Sequence, residues 1–426
     1  MSEGNYNIIQ GNCVDVLRGL SERSVHCCVT SPPYFGLRDY GGGGEEIGQE
    51  GTVEEYVDKM VEVFREVRRV LRDDGTLWLN LGDSYMAAKN CAPPPQTIGG
   101  QRDMPTDFVP GNRRDQDGLK TKDLIGIPWR VAFALQRDGW YLRQDIVWHK
   151  PNPMPESVAD RCTKAHEYIF MLTKKPHYYY DNEAVKEDAV GKPHSPGNKN
   201  VTQPKEKGAQ DPGLDPERVW AADGKRNKRS VWTVNTKGYK GAHFATYPEE
   251  LVLPCVRAST SERGCCSKCG APHERKSVSF VENLEPVEPI HRKEVQLTPE
   301  DSAIVLWLEK NGGDYRISVD GEKHSENWKD IPMSNGRRGE LQRKGYTLFH
   351  WNGGKSQSEW APTCRCDAGV EPCTVLDPFN GAATTGVVAL KEGRRYIGIE
   401  LNPEYIELSE KRIKDACPLT LMEMME

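Results

Sequence analysis

Two hydrophobic rhythms alternate along this chain. Short runs rich in β-branched and aromatic residues, Tyr6 to Gln10, Val25 to Thr30, Thr76 to Leu81, Tyr141 to Trp148, Glu167 to Thr173 and Tyr396 to Ile399, read as strands. Between them, Val53, Val57, Met60, Val61, Phe64, Val67 and Leu71 recur at helical spacing. That helix opens on Thr52-Val53-Glu54-Glu55, a capping box in which hydroxyl and carboxylate each satisfy a free backbone amide, and Asp73-Asp74-Gly75 stops it. A second helix begins at Ile127-Pro128-Trp129-Arg130-Val131, where proline suits the first turn, and runs to Gly139; a last one, capped by Asn402-Pro403, carries Tyr405, Leu408 and Ile413. Strands alternating with helices predict an α/β fold, a doubly wound sheet with helices on both faces.

The rhythm breaks twice. From 182 to 235 the chain turns to Pro, Gly, Lys, Asn and Asp, with a basic run at Lys225, Arg226, Lys228 and Arg229 that suits either a solvated patch or phosphate contacts. From 259 to 367 it carries cysteines at metal-ligand spacing: Cys266 and Cys269 in a C-x-x-C turn, and Cys364 and Cys366 as a second close pair. Thiolates on two tight turns suit a closed tetrahedral zinc site, structural and without an open position for catalysis; Cys265, Cys373 and His273 are spare candidates. Between the pairs, 301–310 reads as one capped helix and 335–344 as a basic stretch.

Bulk properties add bounds. The 426 residues can bury a full core and carry more than one module, and a net charge of -6 argues neither for nor against a nucleic-acid partner, which local clusters of Lys and Arg decide. No run is long and apolar enough to span a membrane and Met1 to Gln10 lacks the core of a signal peptide, so a cytoplasmic protein without membrane contact is expected. In that compartment the 13 cysteines are not expected as disulfides.

The chemistry concentrates at two strand ends. Val375-Leu376 leads into Asp377-Pro378-Phe379-Asn380-Gly381, and Thr384-Thr385-Gly386 starts a helix: the strand, tight turn and helix start that nucleotide-type cofactors use. Glu400 ends the next strand, placed for ribose hydroxyls. Val25 to Thr30 delivers Ser31-Pro32-Pro33-Tyr34. An exocyclic amino group on a base is a poor nucleophile because its lone pair is delocalised into the ring. Acceptors at the Ser31 hydroxyl and the Pro32 carbonyl would favour a pyramidal nitrogen aimed at a methyl donor. Proline fixes the backbone that presents them, and Tyr34 offers a ring for an extrahelical base.

With these motifs the chain resembles S-adenosylmethionine-dependent DNA methyltransferases acting on amino groups, of the circularly permuted beta class in which the catalytic motif precedes the cofactor motif. Further matching segments are Ile127-Pro128-Trp129-Arg130, Trp148-His149-Lys150-Pro151-Asn152-Pro153-Met154-Pro155, Arg161-Cys162-Thr163, His166-Glu167-Tyr168 and Gly241-Ala242-His243-Phe244-Ala245-Thr246-Tyr247-Pro248. The resemblance implies catalytic roles for Ser31, Pro32, Pro33 and Tyr34. It implies cofactor contacts for Asp377, Pro378, Phe379, Gly381 and Thr384, for Glu400 and Asn402, for His243, Phe244 and Ala245, and for Asn12, which stands where the family commonly has aspartate. It further implies a Rossmann-like core in pieces, 1–181, 236–258 and 368–426, with a target-recognition region at 182–235 and a zinc-stapled insert at 259–367. Duplex DNA is the expected partner, and a cognate restriction endonuclease a candidate one.

Ser-Pro-Pro-Tyr is commoner in that family for cytosine N4 and Asp-Pro-Pro-Tyr for adenine N6, so N4 is expected with N6 as the alternative. Direct displacement without a covalent enzyme intermediate follows, because Tyr34 stands where a cytosine-C5 enzyme would need a cysteine. Methylation of RNA or of a protein glutamine is a rival reading that the motif order disfavours. A zinc-bearing DNA-binding module without enzymatic activity is another, and it predicts no S-adenosylmethionine binding.

Overall fold

A computed structural model of the protein describes residues 5–36, 46–86, 118–188, 225–237, 246–279, 315–318, 347–350 and 356–417. In chain order the elements are β1 (Tyr6–Gln10), α1 (Cys13–Gly19), β2 (Val25–Thr30), α2 (Val53–Val70), β3 (Leu71–Leu81), α3 (Ile127–Arg137), β4 (Tyr141–His149), β5 (His166–Thr173), β6 (Glu187–Asp188), β7 (Lys225–Arg226), β8 (Val231–Thr233), α4 (Glu249–Ser259) and β9 (Cys265–Cys266). They continue with β10 (His273–Ser279), β11 (Tyr315–Ser318), β12 (Thr347–His350), β13 (Ser356–Pro362), β14 (Val370–Glu371), β15 (Thr374–Asp377), α5 (Thr384–Lys391), β16 (Arg395–Glu400) and α6 (Pro403–Ala416). The chain forms two compact units, 1–274 with 362–426, and 275–361. In the second, β11 and β12 form an antiparallel pair.

The first unit is built on one sheet in the order β1-β16-β15-β2-β3-β5-β4-β8. Its strands from β1 to β3 are parallel, whereas β5 runs antiparallel to both β3 and β4. The doubly wound half thus carries an antiparallel strand beside it, and β8 extends the sheet at the β4 edge.

Alternation along the strands sorts the core into two layers, since successive side chains face opposite sides. Cys28, Leu77, Leu79, Phe170, Leu172 and Leu376 pack under α1, α2 and α3, while Cys27, Val29, Trp78, Ile169, Met171 and Val375 pack with α4 and α5. Every residue of β2 is buried, as a strand covered on both faces requires. The capping box at Thr52 and Glu55 is formed, with Glu55 N–H donating to Thr52 Oγ1 at 3.1 Å.

Two boundaries differ from expectation. Pairing with β2 begins already at Val25 and Leu71 and resumes at Cys27 and Thr76 after an irregularity, so α2 ends at Val70 and Arg72 to Gly75 bulge within β3. The 259–367 stretch also divides: its ends pack into the first unit, where β9 pairs with β14, and only 275–361 separates. The helix expected at 301–310 and the basic stretch at 335–344 lie outside the described residues.

Candidate active site

Strands β15 and β2 are parallel neighbours whose onward connections leave in opposite directions, β15 towards β16 and β2 towards β3. Open sheets place ligands outside the carboxyl ends of strands at such a reversal. There the end of β2 meets the end of β15: Thr30 Oγ1 donates to Asp377 Oδ1 at 2.6 Å, across 347 residues of chain. Tyr247 closes the junction, its hydroxyl donating to Asp377 Oδ2 at 3.0 Å and hydrogen-bonding to Thr385. Burial pushes the Asp377 carboxyl up to about 6, against hydrogen bonds from Thr30, the Phe379 amide, Thr385 and Tyr247 that favour its ionised form.

A cavity of about 690 Å³ opens above this junction and brings both motifs into one space. Ser31, Pro32, Pro33 and Tyr34 line it on one side; Pro378, Phe379, Gly381, Thr384, Glu400, Asn402 and Asn12 line it on the other. Its size is that of a small-molecule site. Gly381 has φ +48° and the nearest atom a side chain there would meet is 4.0 Å away, so the turn leaves open space beside the β15 end. Glu400 Oε2 accepts from the Gly381 amide at 2.8 Å and Oε1 from the Asn402 amide at 3.0 Å, which fixes the carboxylate at the rim while leaving it further acceptor capacity.

Several expected contacts take a different form. Asp377 does not line the cavity; 1% exposed, it lies beneath the wall and ties the two halves together. Asn12 lines the cavity, yet its Oδ1 already accepts the Val14 amide at 3.0 Å as the N-cap of α1, because an amide oxygen there meets an unpaired helical N–H. Asn402 caps α6 in the same way, through Glu404 N–H at 2.9 Å. His243, Phe244 and Ala245 lie outside the described residues.

A polar cluster surrounds the Ser-Pro-Pro-Tyr turn. Tyr56 donates to the Pro33 carbonyl at 2.9 Å, and the Tyr34 ring lies on Gly82, where a Cβ would come within 2.5 Å of it. The Tyr34 hydroxyl donates to Glu167 Oε2 at 2.8 Å, Asn80 Nδ2 donates to the same oxygen at 3.2 Å, and Glu167 Oε1 forms an ion pair with Lys150. Asn80, Glu167, Lys150 and Tyr247 were not assigned roles from sequence. Two signals were available: Asn80 interrupts the apolar run Leu77 to Leu81, and Lys150, Glu167 and Tyr247 lie inside the matching segments.

Cys13 also lines the cavity, and burial pushes its thiol up to about 12, so it offers no thiolate nucleophile. Away from the cavity, the sulfurs of Cys266, Cys269, Cys364 and Cys366 lie within 4.8 Å of one another. Backbone amides of Cys269 and Lys268 draw the Cys266 thiol down to about 7. Beside them His26 donates from Nε2 to the Gly270 carbonyl at 2.9 Å and accepts the Thr374 amide at Nδ1, and Arg72 donates to the Cys269 carbonyl at 2.6 Å. Of the basic run, Arg226 and Arg229 pair with Glu187, and Lys228 sits 4.9 Å from the centre of the Trp232 ring.

The family model for N6/N4 DNA methylases matches residues 25–266 and 373–411. The chain belongs to this DNA methylase family. The methylase is 36% identical over 408 residues to the Type II methyltransferase M.Cfr9I of Citrobacter freundii, covering 96% of this chain and 87% of the relative. It is 45% identical over 263 residues to the Type II methyltransferase M.SmaI of Serratia marcescens, covering 60% and 76%. Among solved structures, the cytosine-N4-specific PvuII DNA methyltransferase aligns over 97% of this chain and 91% of its own at 15% identity, with a TM-score of 0.45. Among the described residues of the methylase, no helix is long and apolar enough to cross a membrane.

Proposed function

We propose that this methylase transfers a methyl group from S-adenosylmethionine to the exocyclic amino group of a base flipped out of duplex DNA, with cytosine N4 as the target. The observation that carries the reading is the single cavity in which the Ser31 turn faces the Phe379 to Gly381 turn and Glu400. S-adenosylmethionine, when bound, supplies an electrophilic methyl group on a sulfonium. Phe379, Gly381 and Thr384 would hold its amino-acid end, with Glu400 at the ribose. Ser31 Oγ and the Pro32 carbonyl would accept the two hydrogens of the target amino group, and Tyr34 would stack on the base. Directed acceptors held before the reaction stabilise the developing charge without reorganisation. No covalent enzyme intermediate is required, in keeping with the raised Cys13 thiol.

Serine at position 31 favours cytosine N4 over adenine N6, the other amino target of the family. The order of Ser31 before Asp377 along the chain supports the permuted class, residues 182–235 are proposed as the DNA-reading region, and the Type II relatives suggest a cognate restriction endonuclease. We further propose a structural zinc at Cys266, Cys269, Cys364 and Cys366, whose four sulfurs suit the roughly 3.8 Å edges of a zinc tetrathiolate. Expression in a methylation-free host, followed by mass spectrometry of digested DNA, tests the function. N4-methylcytosine is expected; N6-methyladenine would transfer the assignment to the other base, and unmodified DNA would refute it.

A further inference from the structure

The hydrogen bonds around Ser31 have a direction, and it is set by Glu167, which with Asn80 lines the same cavity. Glu167 faces Lys150 through Oε1 and, as a carboxylate, can only accept. Asn80, 6% exposed at the end of β3, presents Nδ2 to Glu167 Oε2 at 3.2 Å and to the Tyr168 carbonyl at 3.1 Å. The reverse amide orientation would set an oxygen against two groups that have no proton to give, so Asn80 is locked with Oδ1 towards the catalytic turn. That oxygen can only accept. Ser31 Oγ lies 3.3 Å from it and 3.4 Å from the Tyr34 hydroxyl, whose own proton faces Glu167 Oε2 at 2.8 Å and Asn80 Oδ1 at 3.2 Å, acceptors both. Both neighbours therefore take the Ser31 proton and leave its lone pairs to accept from a group in the cavity that all three line.

We infer that Glu167 and Asn80 are positioning residues that polarise Ser31 as a hydrogen-bond acceptor for the target amino group. The Lys150–Glu167 pair is largely buried, with side chains 17% and 16% exposed, and burying two charges is poor design for stability alone. In this site it fixes which way every proton around Ser31 points. The inference rests on the proposed amino-methyl transfer. A serine that donated into the cavity would repel an amino group, which offers hydrogens and has its lone pair tied into the ring.

The test changes the polarity at Glu167. Glu167→Gln can set a donor against Asn80 Nδ2 and the Tyr34 hydroxyl where only an acceptor stood, leaves the Tyr168 carbonyl alone to hold the Asn80 amide, and should lower the single-turnover methylation rate on the order of 10²-fold while S-adenosylmethionine affinity stays within about twofold. Glu167→Asp keeps an acceptor-only carboxylate beside Lys150 and should retain at least about tenfold more activity than Glu167→Gln. A Glu167→Gln rate equal to wild type, or a Glu167→Asp variant no faster than Glu167→Gln, would overturn the inference. If Glu167→Gln does not fold, as judged by melting and cofactor titration, Asn80→Leu takes its place: it removes the acceptor facing Ser31 together with the Nδ2 donor behind it, and an unchanged rate would be equally fatal. Wild-type protein that leaves DNA unmodified refutes the function itself, and the inference falls with it; active wild type with insensitive variants refutes only the polarity.

Discussion

Asp377 shows how one residue can be legible in sequence for one reason and matter for another. Its place in Asp-Pro-Phe-Asn-Gly raises the expectation of a cofactor contact, yet the carboxylate is buried beneath that turn and holds Thr30 and Tyr247. The consequence is a pH dependence of known sign. The carboxyl is raised from 3.8 to about 6, so between those values the folded protein binds more protons than the unfolded chain, and stability falls as pH rises through about 6. Asp377→Asn keeps an acceptor for Thr30 and cannot ionise. Its melting temperature should decline less than that of wild type as pH passes from about 4 to about 7, by on the order of a few degrees. Parallel melting curves for the two proteins across that range would refute the assignment. Ser31 and Glu400 were legible from motif and strand end, whereas the amide oxygen of Asn12 goes to its own helix, a cap that the following Cys13-Val14-Asp15 makes available.

At the scale of elements, periodicity located β1 and β2 to the residue and α2 from its capping box, because these depend on neighbours a few positions apart. The start of β3 was misplaced, since Leu71 becomes a strand residue only by pairing with Val25 of another element. The other end of β3 bears on function. Gly82 follows the strand and carries the Tyr34 ring against its bare Cα, with 2.5 Å left for any Cβ. Gly82→Ala must therefore displace Tyr34, a backbone-supported ring with its hydroxyl tied to Glu167. Methylation should fall at least about tenfold, and stability by about 1–3 kcal/mol from overpacking. Wild-type turnover in this variant, measured under single-turnover conditions, would show that Tyr34 need not sit there.

At the scale of the molecule, the four cysteines are drawn together from two distant segments and docked on the sheet by His26 and Arg72. If they hold zinc, purified protein carries one zinc per chain by elemental analysis. Stripping it with a chelator, or replacing Cys269→Ser, should then lower the melting temperature and open 260–274 to protease while the cofactor still binds. Metal-free protein that melts unchanged on adding zinc would dismiss the site.

The sequence by itself determined the α/β rhythm, the caps, and the two turns whose residue types announce their chemistry, because each arises from backbone preferences and side chains within one turn or one strand. Only the tertiary structure decided that Thr30 bonds Asp377, that Asn80 and Glu167 stand beside Ser31, and that four thiols share one space. Hydrogen bonds reach about 3 Å, and whether two groups come that close is fixed by how the sheet is ordered and not by any pattern along the chain.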